Sequence, residues 1–206
     1  MNTVLFRGER IVPSKVVCVG RNYVEHVREL GNEVADDMVI FMKPNSAISD
    51  VLRAGRDEAR HYETEICFLV KDQQWRGVGL GIDLTKRTLQ TALKAKGLPW
   101  ERSKAFDGSA VFSEFVSWEG ETSGLRLSLE IDGKRVQEGD VTQMIYPPER
   151  IREELKHFVT LAEGDIVMTG TPKGVGVIEA GARFEAVLSC DGVELVSHRW
   201  LAEEGF

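Results

Sequence analysis

Glu63 and Glu65 stand two residues apart at the head of the apolar run Ile66-Cys67-Phe68-Leu69-Val70, in a chain of 206 residues. Strand side chains alternate between faces, so both carboxylates point one way while Thr64, Ile66, Phe68 and Val70 seek a core on the other. Two carboxylates held together away from water repel, and a hard divalent cation or a shared proton must compensate. A solvated sheet face is the alternative. Asp83 follows the glycine-dense segment Gly77-Val78-Gly79-Leu80-Gly81-Ile82, just before a helix, and is a natural third ligand. Two glutamates and an aspartate suit Mg²⁺ or Mn²⁺, whereas zinc normally recruits His or Cys. The glycines lack G-x-G-x-x-G spacing and no helix opens directly on them, so a dinucleotide-binding reading is discounted.

Three further groups could carry chemistry. His26 and Glu29 lie three apart on one face of a helix. There a carboxylate can orient an imidazole that takes a proton from water near neutral pH; a plain surface pair is the alternative. Lys104 sits between Trp100 and Phe106, which could desolvate it and suit it to stabilising an enolate or a carboxylate; an ordinary surface lysine is the alternative. The loop Thr169-Gly170-Thr171-Pro172-Lys173-Gly174-Val175-Gly176 follows a strand and offers N–H groups and the Thr171 hydroxyl to an anion. It lacks P-loop spacing, and a tight turn explains its glycines as well.

These residues need elements to hold them. Val16 to Val19 reads as a buried strand ending at Gly20, after which Asn22 caps a short helix running through Leu30 to a stop at Gly31. Met38 to Met42 is a second apolar run, Ser49 to Arg60 a loop, and Thr85 to Lys96 a helix ended by Gly97-Leu98-Pro99. Leu125, Leu127, Leu129 and Ile131 alternate with polar residues up to the turn pair Asp132-Gly133. Pro147-Pro148 opens a helix through about Leu161, followed by a strand Ile166 to Met168 and a hairpin, Arg183 to Ser189 and Val193 to Trp200, around Asp191-Gly192. Strands outnumber helices and connections are local, which predicts a β-rich α+β fold in a single domain, 1–206, with a short lead-in over 1–15.

Composition narrows the partners. A formal net charge of −7 argues against nucleic acid, and no run approaches the length needed to span a bilayer. The N-terminal residues lack the pattern of a secretory signal, so a cytoplasmic location is expected. Cys18, Cys67 and Cys190 are isolated and odd in number, which suits reduced thiols.

Taken in order, Cys18-Val19-Gly20-Arg21-Asn22-Tyr23 with His26 and Glu29, Phe41-Met42-Lys43-Pro44, Glu63-x-Glu65, Asp83-Leu84-Thr85 with Arg87 and Gln90, Lys104-Ala105-Phe106-Asp107, and the Thr169 to Gly176 loop resemble the fumarylacetoacetate hydrolase family. The similarity runs from about residue 15 onward and is strongest to short acylpyruvate hydrolases and oxaloacetate decarboxylases. It implies a mixed β-roll, usually a homodimer, with Mg²⁺ or Mn²⁺ on Glu63, Glu65 and Asp83. It further implies His26 and Glu29 as the water-activating dyad, Lys104 as the active-site lysine, and Arg87, Gln90 and Thr171 as substrate-binding residues. Thr88, Val111, Glu114 and Val177 depart from the family pattern and bear on the distal pocket.

The expected activity is metal-dependent hydrolysis of a C–C bond in acylpyruvate-type 1,3-diketo acids, with decarboxylation of oxaloacetate open to the same site. Isomerisation or decarboxylation of a hydroxymuconate-like diacid is one alternative, and a non-catalytic dicarboxylate-binding protein another.

Overall fold

Two adjacent strands of different character build the centre of the fold, which a computed structural model describes over residues 1–31 and 37–205. Thr64–Lys71 is buried along all but its last residue and pairs antiparallel with Gln74–Asp83. Their register sets Glu65 opposite Gly81 and Cys67 opposite Gly79. A Cβ at Gly81 would lie 2.7 Å from Cys67 Sγ and 2.9 Å from the Phe112 ring, so glycine is what lets the strands close on that face. Glycine is depleted in strands generally, so the glycine-dense segment before Asp83 carries no strand pattern in sequence, whereas it belongs to the ten-residue strand Gln74–Asp83.

These two strands lie within an eight-stranded mixed sheet. Its order is Val39–Pro44, Lys15–Gly20, Ile166–Met168, Thr64–Lys71, Gln74–Asp83, Ala110–Phe112, Ile48–Ser49, and Val116–Ser117 pairs separately with Gln74–Asp83. Ile166–Met168 runs parallel to Lys15–Gly20, and Ile48–Ser49 parallel to Ala110–Phe112. A four-stranded antiparallel sheet, ordered Lys134–Asp140, Leu125–Ile131, Arg183–Cys190, Val193–Leu201, packs against it. Leu125, Leu127, Leu129, Phe184 and Leu188 from the smaller sheet share one core with Ile66, Phe68, Val78, Leu80 and Ile82 from the larger. A second core on the other face holds Val16, Cys18, Cys67, Leu69, Phe115 and Met168. The fold is therefore the β-rich α+β architecture expected, with the carboxylate-bearing strand packed on both sides. Cys18 and Cys67 are free and buried, and burial pushes both thiols well up from their ordinary range.

Helices are few: Val24–Glu29, Arg87–Ala95, Glu101–Lys104 and Pro148–Lys156 are the α-helices of the described residues. Two local expectations need correction. Asn22 does not cap the first helix, because its side chain donates to Thr169 O at 2.7 Å and Tyr146 O at 2.9 Å and accepts from Tyr146 N–H at 2.7 Å. The helix beginning at Pro148 stops at Lys156 rather than near Leu161. β-Branched Val159 and Thr160 follow, and the chain turns so that Leu161 joins the core. Both anticipated Asp-Gly turns form, with φ of 50° and 78° at Asp132-Gly133 and 49° and 82° at Asp191-Gly192.

Candidate metal centre and active site

Strand pairing delivers Glu65 and Asp83 to one place. Glu65 faces the same side as Asp83 across the Thr64–Lys71 and Gln74–Asp83 ladder, and Glu63 enters just ahead of it, its carbonyl accepting from Asp83 N–H at 2.8 Å. Each of the three carboxylates has an oxygen within 4.8 Å of an oxygen of the other two, and all three residues are buried, at 6%, 2% and 1% exposure. The solvated-face alternative is thereby removed. Among the described residues this is the one acidic, His or Cys cluster with such geometry.

Cations surround the cluster unevenly. Lys104 Nζ donates to Glu63 Oε2 and Asp83 Oδ2, both at 2.8 Å, and to Thr85 Oγ1 at 2.6 Å. Arg87 pairs with Glu63 Oε1 and donates to Gln90 Oε1 at 2.9 Å. Lys43, wholly buried, lies 2.8 Å from Asp83 Oδ1 and donates to the backbone carbonyls of Lys104 and Ser109. Burial alone would raise the Glu63 carboxyl, but Lys104 and Arg87 outweigh it and hold the group well below the ordinary carboxylate range. The Lys104 ammonium is disfavoured by burial yet held above its usual range by Asp83 and Glu63. Glu65 is the exception. Burial, then Asp83 and Glu63, push its carboxyl well up, and Gly170 N–H, donating to Oε2 at 2.6 Å, only partly offsets them. A dication beside Glu65 would supply the missing positive charge, and the all-oxygen donor set fits Mg²⁺ or Mn²⁺.

The imidazole–carboxylate pair sits beside this cluster. His26 is buried at 5% exposure, its Nδ1 is 3.1 Å from Glu29 Oε2, and Glu29 Oε1 accepts from Gly174 N–H at 2.9 Å. His26, Glu63, Arg87, Gln90 and Lys104 line one cleft, walled by Phe41 and Trp100. A larger groove, of about 730 Å³, lies elsewhere, near Asn2, Arg10, Asp50 and Arg53, and contains none of these groups. Convergent titratable groups, not volume, mark the site.

Thr171 is placed differently from the others. Its hydroxyl donates to Thr64 O at 2.8 Å and accepts from Gln137 Nε2 at 2.8 Å, while Gln137 Oε1 accepts from Thr64 N–H at 3.1 Å. Thr171 thus braces the strand between the two glutamates and is absent from the cleft lining. The glycine-rich loop does bind anions, but they are the protein's own Glu65 and Glu29 carboxylates. Gly170 adopts φ +100°, and a Cβ there would lie 2.8 Å from Asn22 Cβ, so only glycine brings this N–H to Glu65.

Sequence reasoning gave no individual role to Lys43, Gln137 or Thr85, and gave Asn22 only that of a helix cap. Lys43 ends an apolar strand next to Pro44, and Gln137 lies in the charged strand Lys134–Asp140. Neither carries a local mark of burial; only an amide placed opposite Thr64 in three dimensions shows what Gln137 does.

Fold and site together define a β-rich enzyme built around a buried acidic cluster that reaches, through Glu63, a cleft lined by the imidazole of an imidazole–carboxylate pair. The chain belongs to the fumarylacetoacetate hydrolase family: residues 15–198 match the family model for the fumarylacetoacetate (FAA) hydrolase C-terminal domain. It is 36% identical to oxaloacetate tautomerase YcgM of Escherichia coli, over 89% of this chain and 91% of that one. It is 37% identical to the mitochondrial oxaloacetate tautomerase FAHD1 of Rattus norvegicus, over 91% of each. A structure of fumarylpyruvate hydrolase from Pseudomonas aeruginosa in complex with Mn²⁺ and pyruvate superposes with a TM-score of 0.86 at 30% identity, covering 98% of this chain and 96% of that one.

Proposed function

We propose that this protein is a divalent-metal-dependent enzyme acting on 2-oxo acids through a pyruvate-type enolate, cleaving acylpyruvates and also accepting oxaloacetate. The observation that carries this reading is a buried three-carboxylate cluster whose Glu63 lines a cleft together with Lys104 and with His26, the imidazole paired to Glu29. Held by Glu63, Glu65 and Asp83, Mg²⁺ or Mn²⁺ would supply Lewis acidity toward the carboxylate and 2-oxo oxygens of the substrate.

The chain's own groups then divide the work. Glu29 engages His26 Nδ1, which leaves Nε2 as the ring nitrogen able to take a proton. In hydrolysis that proton comes from water, whose oxygen adds to the distal carbonyl. The C–C bond next to that carbonyl then breaks, releasing a carboxylic acid, and its electron pair becomes the pyruvate enolate, which is protonated at carbon. Lys104, fixed by Glu63, Asp83 and Thr85, is a preorganised cation where negative charge develops. Gln90 and Arg87, side by side on the cleft wall, orient the substrate.

A second reading is favoured by the similarity to two oxaloacetate tautomerases. In it, His26 Nε2 takes the proton from C3 of oxaloacetate and the enolate is reprotonated on the 2-oxygen, with no water consumed. The ligand is a small keto acid in either case, the location cytoplasmic, and two copies of the chain form the working unit, with neither nucleic acid nor membrane as partner. No helix of the described residues is long and apolar enough to cross a membrane.

Proton NMR of the Mg²⁺-loaded protein with acetylpyruvate, oxaloacetate and a hydroxymuconate-like diacid tests the assignment. Acetate and pyruvate from acetylpyruvate are expected, with accelerated keto–enol exchange of oxaloacetate. Turnover of the hydroxymuconate alone, or of none of the three, would contradict the proposal.

A further inference from the structure

One buried cation has no part in the chemistry described so far. Lys43, near the end of the strand Val39–Pro44, is wholly buried and does not line the cleft. Lysine is almost never fully buried unless its ammonium is paired. This one meets three oxygens: it donates to the backbone carbonyls of Lys104 and, at 3.0 Å, of Ser109, and it lies 2.8 Å from Asp83 Oδ1. We propose that Lys43 is a positioning residue for the reaction. From outside the cleft, its single ammonium holds the Asp83 carboxylate and the backbone of Lys104 in fixed relation, so that the metal ligand and the enolate-stabilising cation are set together. This rests on the metal-dependent 2-oxo acid reading above and adds a residue to it.

The Lys104 end of the link depends on it. Lys104 is the last residue of the one-turn helix Glu101–Lys104, so its carbonyl has no partner within the helix; Lys43 and the Ser109 hydroxyl, at 2.8 Å, supply one. Ser109 O also accepts from Leu84 N–H at 2.9 Å, which ties the same segment to the residue after Asp83. The chain from Lys104 to Ser109 is thus closed onto the end of the Asp83 strand, with Lys43 at the junction.

The Asp83 end shows what the arrangement leaves open. Lys104 donates to Oδ2, whereas Oδ1 is buried and accepts no hydrogen bond among the described residues, although the Lys43 ammonium is 2.8 Å away. Lys43 directs its N–H groups to the two carbonyls, so it offsets the charge of Asp83 and leaves a lone pair on Oδ1 for a cation. A buried oxygen without a hydrogen bond calls for an explanation, and a ligand's role gives one. The three carboxylates are surrounded by three cations, Lys43, Lys104 and Arg87, and loss of Lys43 would leave the acidic cluster in excess.

Positioning and mere structural support predict opposite signs. A dication on Asp83 is repelled by an ammonium this near its ligand oxygen, so removing the ammonium should tighten metal binding while it loosens Lys104. Removing a residue that only supports the fold would weaken binding and turnover alike. The test compares Lys43→Met with the wild type. Mn²⁺ affinity of the metal-free protein, read by electron paramagnetic resonance of the free ion, is expected to tighten about tenfold. With saturating Mn²⁺, kcat for acetylpyruvate should fall about tenfold or more while KM stays within about threefold. Weaker Mn²⁺ binding together with lower kcat, or no change in either, would overturn the proposal and leave the metal–enolate reading standing. A second measurement decides the matter where the variant does not fold. In wild-type protein labelled with nitrogen-15 lysine, the Lys43 ammonium should give a slowly exchanging Nζ resonance that shifts as Mg²⁺ saturates the site, and no shift while Mg²⁺ binds would overturn the proposal. A wild type that binds neither ion would overturn it together with the proposed function.

Discussion

Glu65 is the residue whose surroundings say most about the site. Burial and two neighbouring carboxylates raise its carboxyl, so the stability it contributes is fully present below the ordinary glutamate range and is lost as pH rises toward the folded value. Glu65→Gln keeps an acceptor for Gly170 N–H and removes that penalty. The metal-free variant should therefore melt higher than the metal-free wild type at neutral pH, as read by calorimetry; a lower melting temperature would contradict this charge assignment. His26 offers a second check. His26→Ala should reduce acetylpyruvate hydrolysis by about 10²- to 10⁴-fold with little change in KM, and unchanged hydrolysis would remove it from the proton-transfer role. The Glu63, Glu65, Asp83, His26 and Glu29 set was legible in sequence because strand and helix periods place each pair on one face. Lys43, Gln137 and Asn22 were not, since their partners are backbone groups far along the chain, such as Ser109, Thr64 and Thr169.

At the scale of elements, the site depends on strands that must approach one another closely. Gly81→Ala would press on Cys67 and Phe112 and should cost about 1–3 kcal/mol in chemical denaturation, with metal affinity falling as Asp83 shifts. The strand Ile166–Met168 is fixed at its start by Asp165, whose carboxylate accepts from Ser14 N–H and Ala162 N–H at 2.9 and 2.8 Å and pairs with Lys15. Burial opposes this charge, but the Lys15 and Ser14 bonds win and lower the carboxyl below its ordinary range. Its contribution is thus present above about pH 4 and is lost as pH falls through the folded value. Asp165→Asn should flatten the acid limb of a stability–pH profile, and an unchanged limb would refute the assignment. The elements that sequence predicted well were those with alternating apolar residues and Asp-Gly turns. The strand ending at Asp83 escaped because glycine carries no side chain to show its period, although the space left by those glycines is what the neighbouring strands fill.

On the scale of the whole molecule, a metal bound only by the folded chain must stabilise it. Mn²⁺ at a hundredfold excess over its Kd should raise stability by ~2.7 kcal/mol, or roughly 5–10 °C in melting temperature for a chain of this size. The working unit is proposed to be two chains, so light scattering should give twice the 23.0 kDa chain mass, and a monomer at working concentration would refute that part of the account. The convergence of three carboxylates, two from paired strands and Glu63 from the residue just ahead of one of them, on one hard cation is the claim on which the rest depends. Its most direct test is equilibrium titration of the metal-free protein with Mn²⁺, followed by electron paramagnetic resonance of the free ion. One Mn²⁺ per chain is predicted, lost in Asp83→Asn; no saturable binding, or binding indifferent to that substitution, would contradict it.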